Sequence, residues 1–499
     1  MPKTILASAL LACAALAVAL PHTASARAET DGENRSVEAG GAHDDKIATI
    51  EQGLRPALGA KGEPGPVWTL AERMAHHRVP AISIAVAIDG ELAWAKAYGV
   101  AQAEGSEAVD TDTLFQAASL SKPVAALAAL TLVDEGRVDL DAPVNDYLSS
   151  WKIQQNAFTA QRPVTLRHLL SHRAGTTVHG FRGYDIAKVY PSSEQVLTGE
   201  APANTQPIVV DKVPGESRRY SGGGYQIVQL LIEDVATTPF ADYVTSHVLE
   251  PSGLALSNYD YVQSGSNVAR GHRGKASQPM AEHGYYAYPE MAAAGLWTTP
   301  SELVLLGGKV ADARRNSAGL VSTELANQLV PDSADDPGLG FGLNAPGDGI
   351  VFVHNGHNPG YSARWFNYAD GRASVAILTN SDTGGDLIRE VASAIGHVYG
   401  WRQDAFEERE TISLPAEWQD AVSGGYAFDR EAASPIVEIE VEDGKLWIEG
   451  ELAERSSFYA TSRTEFFIAS GLNFTVELGH DGDVEALDIE GEIRLVKLD

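Results

Sequence analysis

SLSKPVAALAALTLVDEG, residues 119–136, joins a helical pattern to a pair of reactive side chains. One apolar face of the helix is formed by Leu120, Val124, Leu127 and Thr131. Gly136 ends the pattern, which predicts a helix over 119–135. Lys122 lies one helical turn after Ser119, so its amine can reach the serine hydroxyl. A serine needs such a base to become a nucleophile, and burial makes a lysine neutral enough to serve.

A second Ser-x-x-Lys, from Ser149 to Lys152, shows that the motif alone decides little. It follows Pro143 in a turn-rich stretch without a helical pattern behind it. Ser119, in contrast, opens a helix, and free N–H groups at a helix N-terminus favour the negative charge that develops in acyl transfer. We therefore predict that Ser119 is the nucleophile and that the second match is chance.

The segments around this helix predict an α+β domain. Ile82 to Ile88 alternates up to the turn Asp89-Gly90, and Leu92 to Ala95 follows, which is the pattern of a β-hairpin. Further helices are predicted at 165–171, 224–236, 241–249 and 300–313, and strands near 350–354, 362–368 and 373–379. Strands at both ends of a helical middle favour an antiparallel sheet with helices on its faces.

The chain has 499 residues, more than one hydrophobic core normally holds, so we expect two folded units. Residues 66–401 contain the segments above and form the first. Residues 402–413 are charged and predict a linker. Residues 414–499 are mostly strand-like, with Asp-Gly hairpin turns at 443–444 and 481–482, which predicts a small all-β barrel.

The first 26 residues predict an export signal. Lys3 precedes an apolar run, residues 5–20, and Ala24-Ser25-Ala26 fits a small-residue cleavage site. We expect cleavage after Ala26, a periplasmic or secreted protein, and a flexible leader over 27–65 that includes a short helix. The apolar run is too short to span a bilayer comfortably, and no other run is long enough, so we expect no stable membrane insertion.

Composition excludes several classes of function. Cys13 is the only cysteine and lies in the predicted signal, so the mature chain would have neither a disulfide nor a thiol nucleophile. The 67 acidic and 37 basic residues give a net charge of −30, which repels phosphate backbones and argues against a nucleic-acid partner. We interpret most of these carboxylates as solvated surface, with the guidance of cationic substrates as the alternative.

Two later motifs hold polar side chains that could join the serine and the lysine. YSGGGY, from Tyr220, lies on a loop that enters a helix, and the phenol could act as a second acid or base. HNGHNPGY, from His354, ends a short strand, and an ordinary polar turn is the alternative there. Neither this turn nor the pair His168 and His172 supplies a complete set of metal ligands, so we expect no metal and no cofactor.

These motifs together resemble the penicillin-recognising serine hydrolases, in particular the branch of class C β-lactamases, D-Ala-D-Ala carboxypeptidases and related esterases. The family's elements are Ser-x-x-Lys, Tyr-x-Asn and Lys-Thr-Gly or His-x-Gly. Here they are Ser119–Lys122, Tyr220–Gly222 and His354–Gly356. The resemblance covers residues 68–400 and implies a β-lactamase/transpeptidase-like sandwich. The tail resembles the lipocalin-like β-domain that some relatives carry.

The resemblance implies a role for each position. Ser119 would attack a carbonyl carbon, Lys122 would accept its proton, and Tyr220 would protonate the leaving group and later activate water. The backbone N–H groups of Ser119 and His357 would form the oxyanion hole, and His354 would complete an electropositive wall. The remaining substrate-binding positions would be Gly222, Asn355 and Gly356.

Two departures from the family pattern bear on the substrate. Gly222 replaces the Asn of Tyr-x-Asn, so the side chain that would read the substrate amide is absent. His354 replaces the Lys of Lys-Thr-Gly, and a histidine is mostly neutral at pH 7, which weakens carboxylate capture. Candidates to restore these contacts are Arg364, Asn355 and Asn358. The departures argue against strong β-lactamase activity.

The leading hypothesis is a serine hydrolase that forms an acyl-enzyme with a β-lactam, a D-amino-acid peptide or a small ester. Its substrate would be a small molecule or a peptidoglycan-derived peptide. A broad carboxylesterase that uses the same residues is one alternative. A non-catalytic protein that binds peptidoglycan or a partner is another, motivated by Gly222. A metal hydrolase is the weakest.

Overall fold

The computed structural model describes residues 41, 43–63, 65–103, 105–261, 263, 267–280, 283–316, 319–451, 453, 455–490 and 493–498. The predicted signal peptide and residues 27–40 of the predicted leader lie outside this part of the chain. Its α-helices are Asp44–Gln52, Leu70–His76, Ser121–Asp134, Leu166–Leu170, Ser193–Thr198, Gly222–Ala236, Phe240–Val244, Glu250–Ser252, Met291–Ala294, Pro300–Ala313, Thr323–Leu329, Gly384–Tyr399 and Ala416–Val422. None of them combines the length and apolarity that crossing a membrane requires.

A six-stranded antiparallel sheet, here called the central sheet, forms the frame of the first domain. Its strands in spatial order are Gly342–Asn344, Val351–Asn358, Tyr361–Tyr368, Ala373–Thr379, Ala81–Ile88 and Glu91–Gly99. Strands from the two ends of the domain therefore lie side by side, as the sequence pattern predicts. Short two-stranded pairs join Phe115–Gln116 to Trp297–Thr298, Tyr184–Asp185 to Tyr286–Ala287, and His272–Arg273 to Gln278–Pro279.

Side chains of the strand Ala81–Ile88 point alternately into two layers of the hydrophobic core. The alanines at 81, 85 and 87 face one cluster, together with the helix Ser121–Asp134. Ile82, Ile84 and Val86 face the other, together with the helix Gly384–Tyr399. Successive side chains of a strand point to opposite faces of a sheet, so one strand serves both layers. Helices thus cover both faces of the sheet, which confirms the predicted sandwich.

The tail forms a nearly closed nine-stranded sheet, here called the C-terminal barrel. Its strands in spatial order are Ser456–Ser457, Lys445–Gly450, Val437–Glu442, Gly424–Ala427, Ile493–Lys497, Val484–Ile489, Asn473–Leu478, Glu465–Phe467 and Tyr459–Ala460. Only Phe458 separates the first and last strands of that order along the chain, so the chain itself bridges the gap. The Phe458 ring stacks on Phe466 at 4.6 Å and packs edge-on against Phe474 at 5.1 Å, so aromatic side chains fill the interior.

Three sequence predictions need correction. The α-helix that follows the predicted nucleophile begins at Ser121, and Ala118–Leu120 is a separate 3₁₀ turn. The strand predicted near 350–354 runs from Val351 to Asn358, because it pairs with its neighbour Tyr361–Tyr368 along its whole length. The predicted linker contains a strand, Glu407–Arg409, which pairs with Leu58–Ala60. The division of the chain at 402–413 stays a prediction.

Candidate active site

The 3₁₀ turn Ala118–Leu120 carries the predicted nucleophile and is here called the nucleophile turn. It presents the Ser119 side chain to a cavity. Ala118 has a φ of 52°, a left-handed conformation that is uncommon for a residue with a Cβ. Such backbone strain persists only where the surrounding structure imposes it, and it clusters at functional sites. Ser119 stays partly exposed while both of its neighbours are fully buried.

Hydrogen bonds from the next helix fix the nucleophile turn. The Ser121 hydroxyl donates to the Ala118 carbonyl at 2.6 Å and accepts the Leu296 N–H at 3.0 Å. The Ala117 N–H donates to the Leu296 carbonyl at 2.9 Å. The strained turn is therefore held from two sides by the segment that follows the helix Met291–Ala294.

Lys122 lies directly behind the serine, as the helical spacing predicts. Its side chain is 1% exposed, and Nζ is 2.9 Å from Ser119 Oγ and 2.8 Å from the Ala293 carbonyl oxygen. Burial lowers the pKa of Lys122 to about 7, since a charged amine is costly away from water. A neutral amine can donate one N–H to Ala293 and offer its lone pair to the Ser119 hydroxyl.

Tyr220 completes the group around the serine. Burial raises the pKa of Tyr220 to about 12, although a hydrogen bond with Ser119 partly offsets this. Its ring lies 4.9 Å from Lys122 Nζ and packs against His172 at 4.3 Å and His179 at 4.8 Å. The His172 ring accepts the Ser221 N–H on Nδ1 at 3.2 Å, which anchors the loop that carries the tyrosine. Ser119 thus lies between an amine and a phenol with widely separated pKa values.

The strand Val351–Asn358 forms the opposite wall of the cavity. Its buried residues alternate, so His354, Gly356 and Asn358 face inward. A Cβ on Gly356 would lie 2.3 Å from the Ala117 carbonyl oxygen. Glycine is therefore required for the strand to lie this close to the nucleophile turn.

His354 is a neutral residue of this wall. It is 9% exposed, and its Nδ1 donates to the Asn355 carbonyl at 2.7 Å, which leaves Nε2 as an acceptor. Burial, reinforced by the Lys122 charge, lowers the pKa of His354 to about 3. The imidazole is therefore uncharged at pH 7 and does not supply the electropositive wall that the sequence led us to expect.

The other candidates on this strand differ in how they meet the cavity. Asn355 and His357 have exposed side chains on the outer face, so their backbone borders the cavity. Asn355 Oδ1 accepts from Arg364, whose guanidinium also pairs with Asp404. Asn358 is buried and donates to Gln116 at 3.0 Å. Arg364 and Asn355 are therefore bonded to each other, and the Asn358 Nδ2 donates to Gln116 and to the Ala294 carbonyl.

Gly222 does not open the cavity, because another segment covers it. A Cβ on Gly222 would lie 3.0 Å from both the His179 carbonyl oxygen and the Phe181 ring. Residues 177–182, here called the wall segment, are tied to the loop and helix behind them. The Gly222 N–H donates to the His179 carbonyl at 2.9 Å, and the Ser221 hydroxyl donates to the Thr177 carbonyl at 2.7 Å.

The cavity that these elements enclose has a volume of about 590 Å³. It brings together all eight site residues predicted from the sequence except Gly222, which lies behind the wall segment. Sequence reasoning missed Arg182, Arg218 and the Ala293 carbonyl, which also line it. The position of Arg218, two residues before Tyr220, was a signal that could have been used, whereas the wall segment carries no recognisable pattern.

The alternative chemical sites look different. Ser149 and Lys152 lie in an exposed loop, where the Ser149 N–H donates to Asp234 and Lys152 Nζ donates to backbone carbonyls. Within the described residues, no group of three or more His, Cys, Asp or Glu side chains is arranged to hold a metal ion.

Comparison with known proteins identifies the family. A family model described as Beta-lactamase matches residues 69–398. The chain belongs to the beta-lactamase family. Its homologues are serine hydrolases, and the matched range coincides closely with the predicted 68–400.

Individual relatives of this beta-lactamase-family chain are distant. It is 24% identical to "Penicillin-binding protein 4*" of Bacillus subtilis (strain 168) over 437 residues. That match covers 80% of this chain and 90% of the Bacillus protein. An octameric penicillin-binding protein homologue from Pyrococcus abyssi shares the fold, with a TM-score of 0.57 and 22% identity over 86% of this chain and 98% of that chain. A D-amino acid amidase from Ochrobactrum anthropi SV3 has a TM-score of 0.56 and 20% identity, covering 72% of this chain and 99% of that chain.

Proposed function

We propose that this protein hydrolyses amides or esters through an acyl-enzyme on Ser119. The observation that carries the proposal is the placement of one hydroxyl between a fully buried amine and a largely buried phenol. Burial lowers the pKa of Lys122 to about 7 and raises the pKa of Tyr220 to about 12. Environments that separate two pKa values in this way assign one group as the base and the other as the acid.

In the proposed reaction, Ser119 Oγ attacks the carbonyl carbon and its proton passes to Lys122 Nζ. Tyr220 gives its proton to the leaving nitrogen or oxygen, and the Lys122 ammonium then reprotonates the phenolate. Water attacks the acyl-enzyme by the same relay in reverse. The backbone N–H groups of Ser119 and His357 would stabilise the oxyanion, since both residues line the cavity.

The proposed substrates are D-amino-acid peptides or amides, since a penicillin-binding protein and a D-amino acid amidase are among the similar proteins. A broad carboxylesterase is the second candidate. It is favoured by the covered Gly222, because no side chain at that position reads a substrate amide. Turnover of an activated ester, a β-lactam and a D-Ala-D-Ala peptide separates these candidates.

Replacing each of the two Ser-x-x-Lys serines by alanine tests the assignment of the nucleophile. Ser119→Ala is expected to abolish turnover. Ser149→Ala is expected to keep it, because Ser149 lies in an exposed loop and its N–H donates to Asp234. Activity retained by Ser119→Ala, or lost in Ser149→Ala, would overturn the assignment.

We also propose export, since the sequence of residues 1–26 has the parts of a signal peptide. The intact mass of the exported protein is expected to match a chain that begins at Arg27. A full-length chain that keeps Met1 in the cytoplasm would contradict this.

A further inference from the structure

The cavity around Ser119 has a composition unlike that of the whole chain. The protein carries 67 acidic and 37 basic residues. Among the described residues that line the cavity there is no Asp or Glu, whereas Lys122, Arg182 and Arg218 all border it. Surface carboxylates explain solubility, but they do not explain why a cavity should lack them altogether.

Arg182 is the side chain that this pattern singles out. Within the described part of the chain, its guanidinium has neither a hydrogen bond nor an ion pair, although many arginines of this protein are paired with a carboxylate. It lines both the catalytic cavity and a neighbouring one of about 730 Å³. No acidic residue in the described chain lines that second cavity either.

Arg218 differs from Arg182 in one respect. It also borders a third cavity, of about 370 Å³, that is lined by Asp335 and Asp336. Those carboxylates weaken its attraction for an anion in the catalytic cavity. Among the described residues, no such carboxylate lines either of the two cavities that Arg182 lines.

The wall segment determines which part of a substrate Arg182 meets. Its residues 179–182 lie between the two cavities, and Phe181 covers Gly222. Gly222 holds the place where the family's Asn reads a substrate amide. A group bound to Ser119 next to Gly222 would therefore meet the wall segment, and a substituent on that group would pass Arg182 toward the second cavity, which Arg182 also lines.

We propose that Arg182 binds an anionic group on the acyl part of the substrate, while Phe181 packs against its apolar portion. This inference rests on the proposed function, because it names the substrate class of the same site. An exposed guanidinium binds a carboxylate by paired, charge-assisted hydrogen bonds. A substrate with a free ammonium in this position is disfavoured, because the described cavity lining offers it no carboxylate.

Three substrates with one leaving group test the proposal: the 4-nitroanilides of N-succinyl-, N-acetyl- and unblocked D-phenylalanine. They place an anion, no charge and a cation on the same acyl group. We expect kcat/KM to fall in that order, with the succinyl compound about tenfold above the acetyl compound at low salt. In Arg182→Gln the succinyl-to-acetyl ratio should fall toward one.

The matched control is Arg430→Gln, which removes an exposed charge from the C-terminal barrel and should leave the ratio as in the wild type. Raising the ionic strength should lower the wild-type ratio, because salt screens an exposed charge. A wild-type ratio near one, or a ratio that is equal in the wild type and Arg182→Gln, would overturn the proposal.

Binding to Ser119→Ala separates this inference from the proposed function. Calorimetry with the succinyl and acetyl compounds needs no turnover, and the succinyl compound should bind about tenfold more tightly unless Arg182 is replaced. Preferential binding without turnover in the wild type would remove the proposed function and keep the anion site. Equal binding of the succinyl and acetyl compounds, together with turnover by the wild type, would remove the anion site and keep the proposed function.

Discussion

Lys122 is the residue whose ionisation should set the pH range of activity. Burial lowers its pKa to about 7, so the amine is protonated below that pH and neutral above it. We expect kcat/KM for an uncharged ester to rise about tenfold per pH unit below pH 7 and to level off above it. The pKa of Tyr220 is raised to about 12, so the phenol keeps its proton throughout this range.

The same experiment separates Lys122 from His354. With its pKa lowered to about 3, His354 adds no inflection between pH 5 and 8. Stopped-flow acylation measured from pH 5 to 9 gives the profile. A rate that is flat over that range, or that is still rising at pH 9 as an ordinary lysine would cause, contradicts the assigned base.

At the same scale, the roles of single residues were only partly predictable. Ser119 and Lys122 could be paired from helical spacing alone, because that spacing is local. The neutrality of His354 and the outward direction of Asn355 and His357 depend on burial and on strand register, which sequence neighbours do not determine. Arg182 was missed because the contact that gives the wall segment its position, with Gly222, spans some forty residues of chain.

Among the structural elements, the strand Val351–Asn358 and the nucleophile turn are held at a distance that only glycine permits. In Gly356→Ala the new Cβ would lie 2.3 Å from the Ala117 carbonyl oxygen, so the turn must move away. We expect a loss of about 100-fold or more in kcat/KM, since small displacements of reacting groups are costly. The melting temperature should also fall, because overpacking costs about 1–3 kcal/mol.

Gly385→Ala is the matched control for that substitution, because an added Cβ there meets nothing within 4 Å. Its activity and melting temperature should stay close to those of the wild type. Wild-type activity in Gly356→Ala would show that the strand and the turn are not tightly coupled.

The wall segment makes a second prediction at the scale of elements. Gly222→Asn restores the family residue but places its Cβ 3.0 Å from the Phe181 ring. It should lower both the melting temperature and activity, and adding Phe181→Ala should recover part of the melting temperature. Phe181→Ala alone completes the double-mutant cycle and serves as the reference for the double variant. If Gly222→Asn kept the wild-type melting temperature and activity, the wall segment would have to move aside at little cost in stability.

Element prediction from the sequence succeeded where periodicity was strong and failed at boundaries. The hairpin around Asp89-Gly90 and the helix Pro300–Ala313 follow from pattern and capping. The strand Val351–Asn358 was cut short because His, Asn and Gly favour turns, whereas pairing with Tyr361–Tyr368 extends it. Tertiary pairing of this kind overrides local propensity.

For the whole molecule, the described contacts of the C-terminal barrel lie away from the catalytic cavity. Arg409, on the strand paired with Leu58–Ala60, donates to Asn473 and lies over the Phe467 ring at 5.4 Å. None of the described cavity-lining residues comes from the barrel. Arg409→Ala should therefore lower the melting temperature by about 1–4 °C, for a loss of about 1 kcal/mol, without changing kcat/KM.

Arg494→Ala is the control for this prediction, because it breaks an exposed ion pair with Glu477 inside the barrel. Exposed pairs of this kind contribute little, so the melting temperature should change less than in Arg409→Ala. A fall in kcat/KM that parallels the thermal change in Arg409→Ala would show that the barrel supports the catalytic site directly.

The most direct test of the central claim is the intact mass of the protein after exposure to a fluorophosphonate, followed by peptide mapping. An activated serine should take up a single adduct on Ser119, absent in Ser119→Ala and present in Ser149→Ala. A folded wild-type protein without an adduct on Ser119, or an adduct that persists in Ser119→Ala, would contradict the assignment of Ser119 and Lys122 as nucleophile and base.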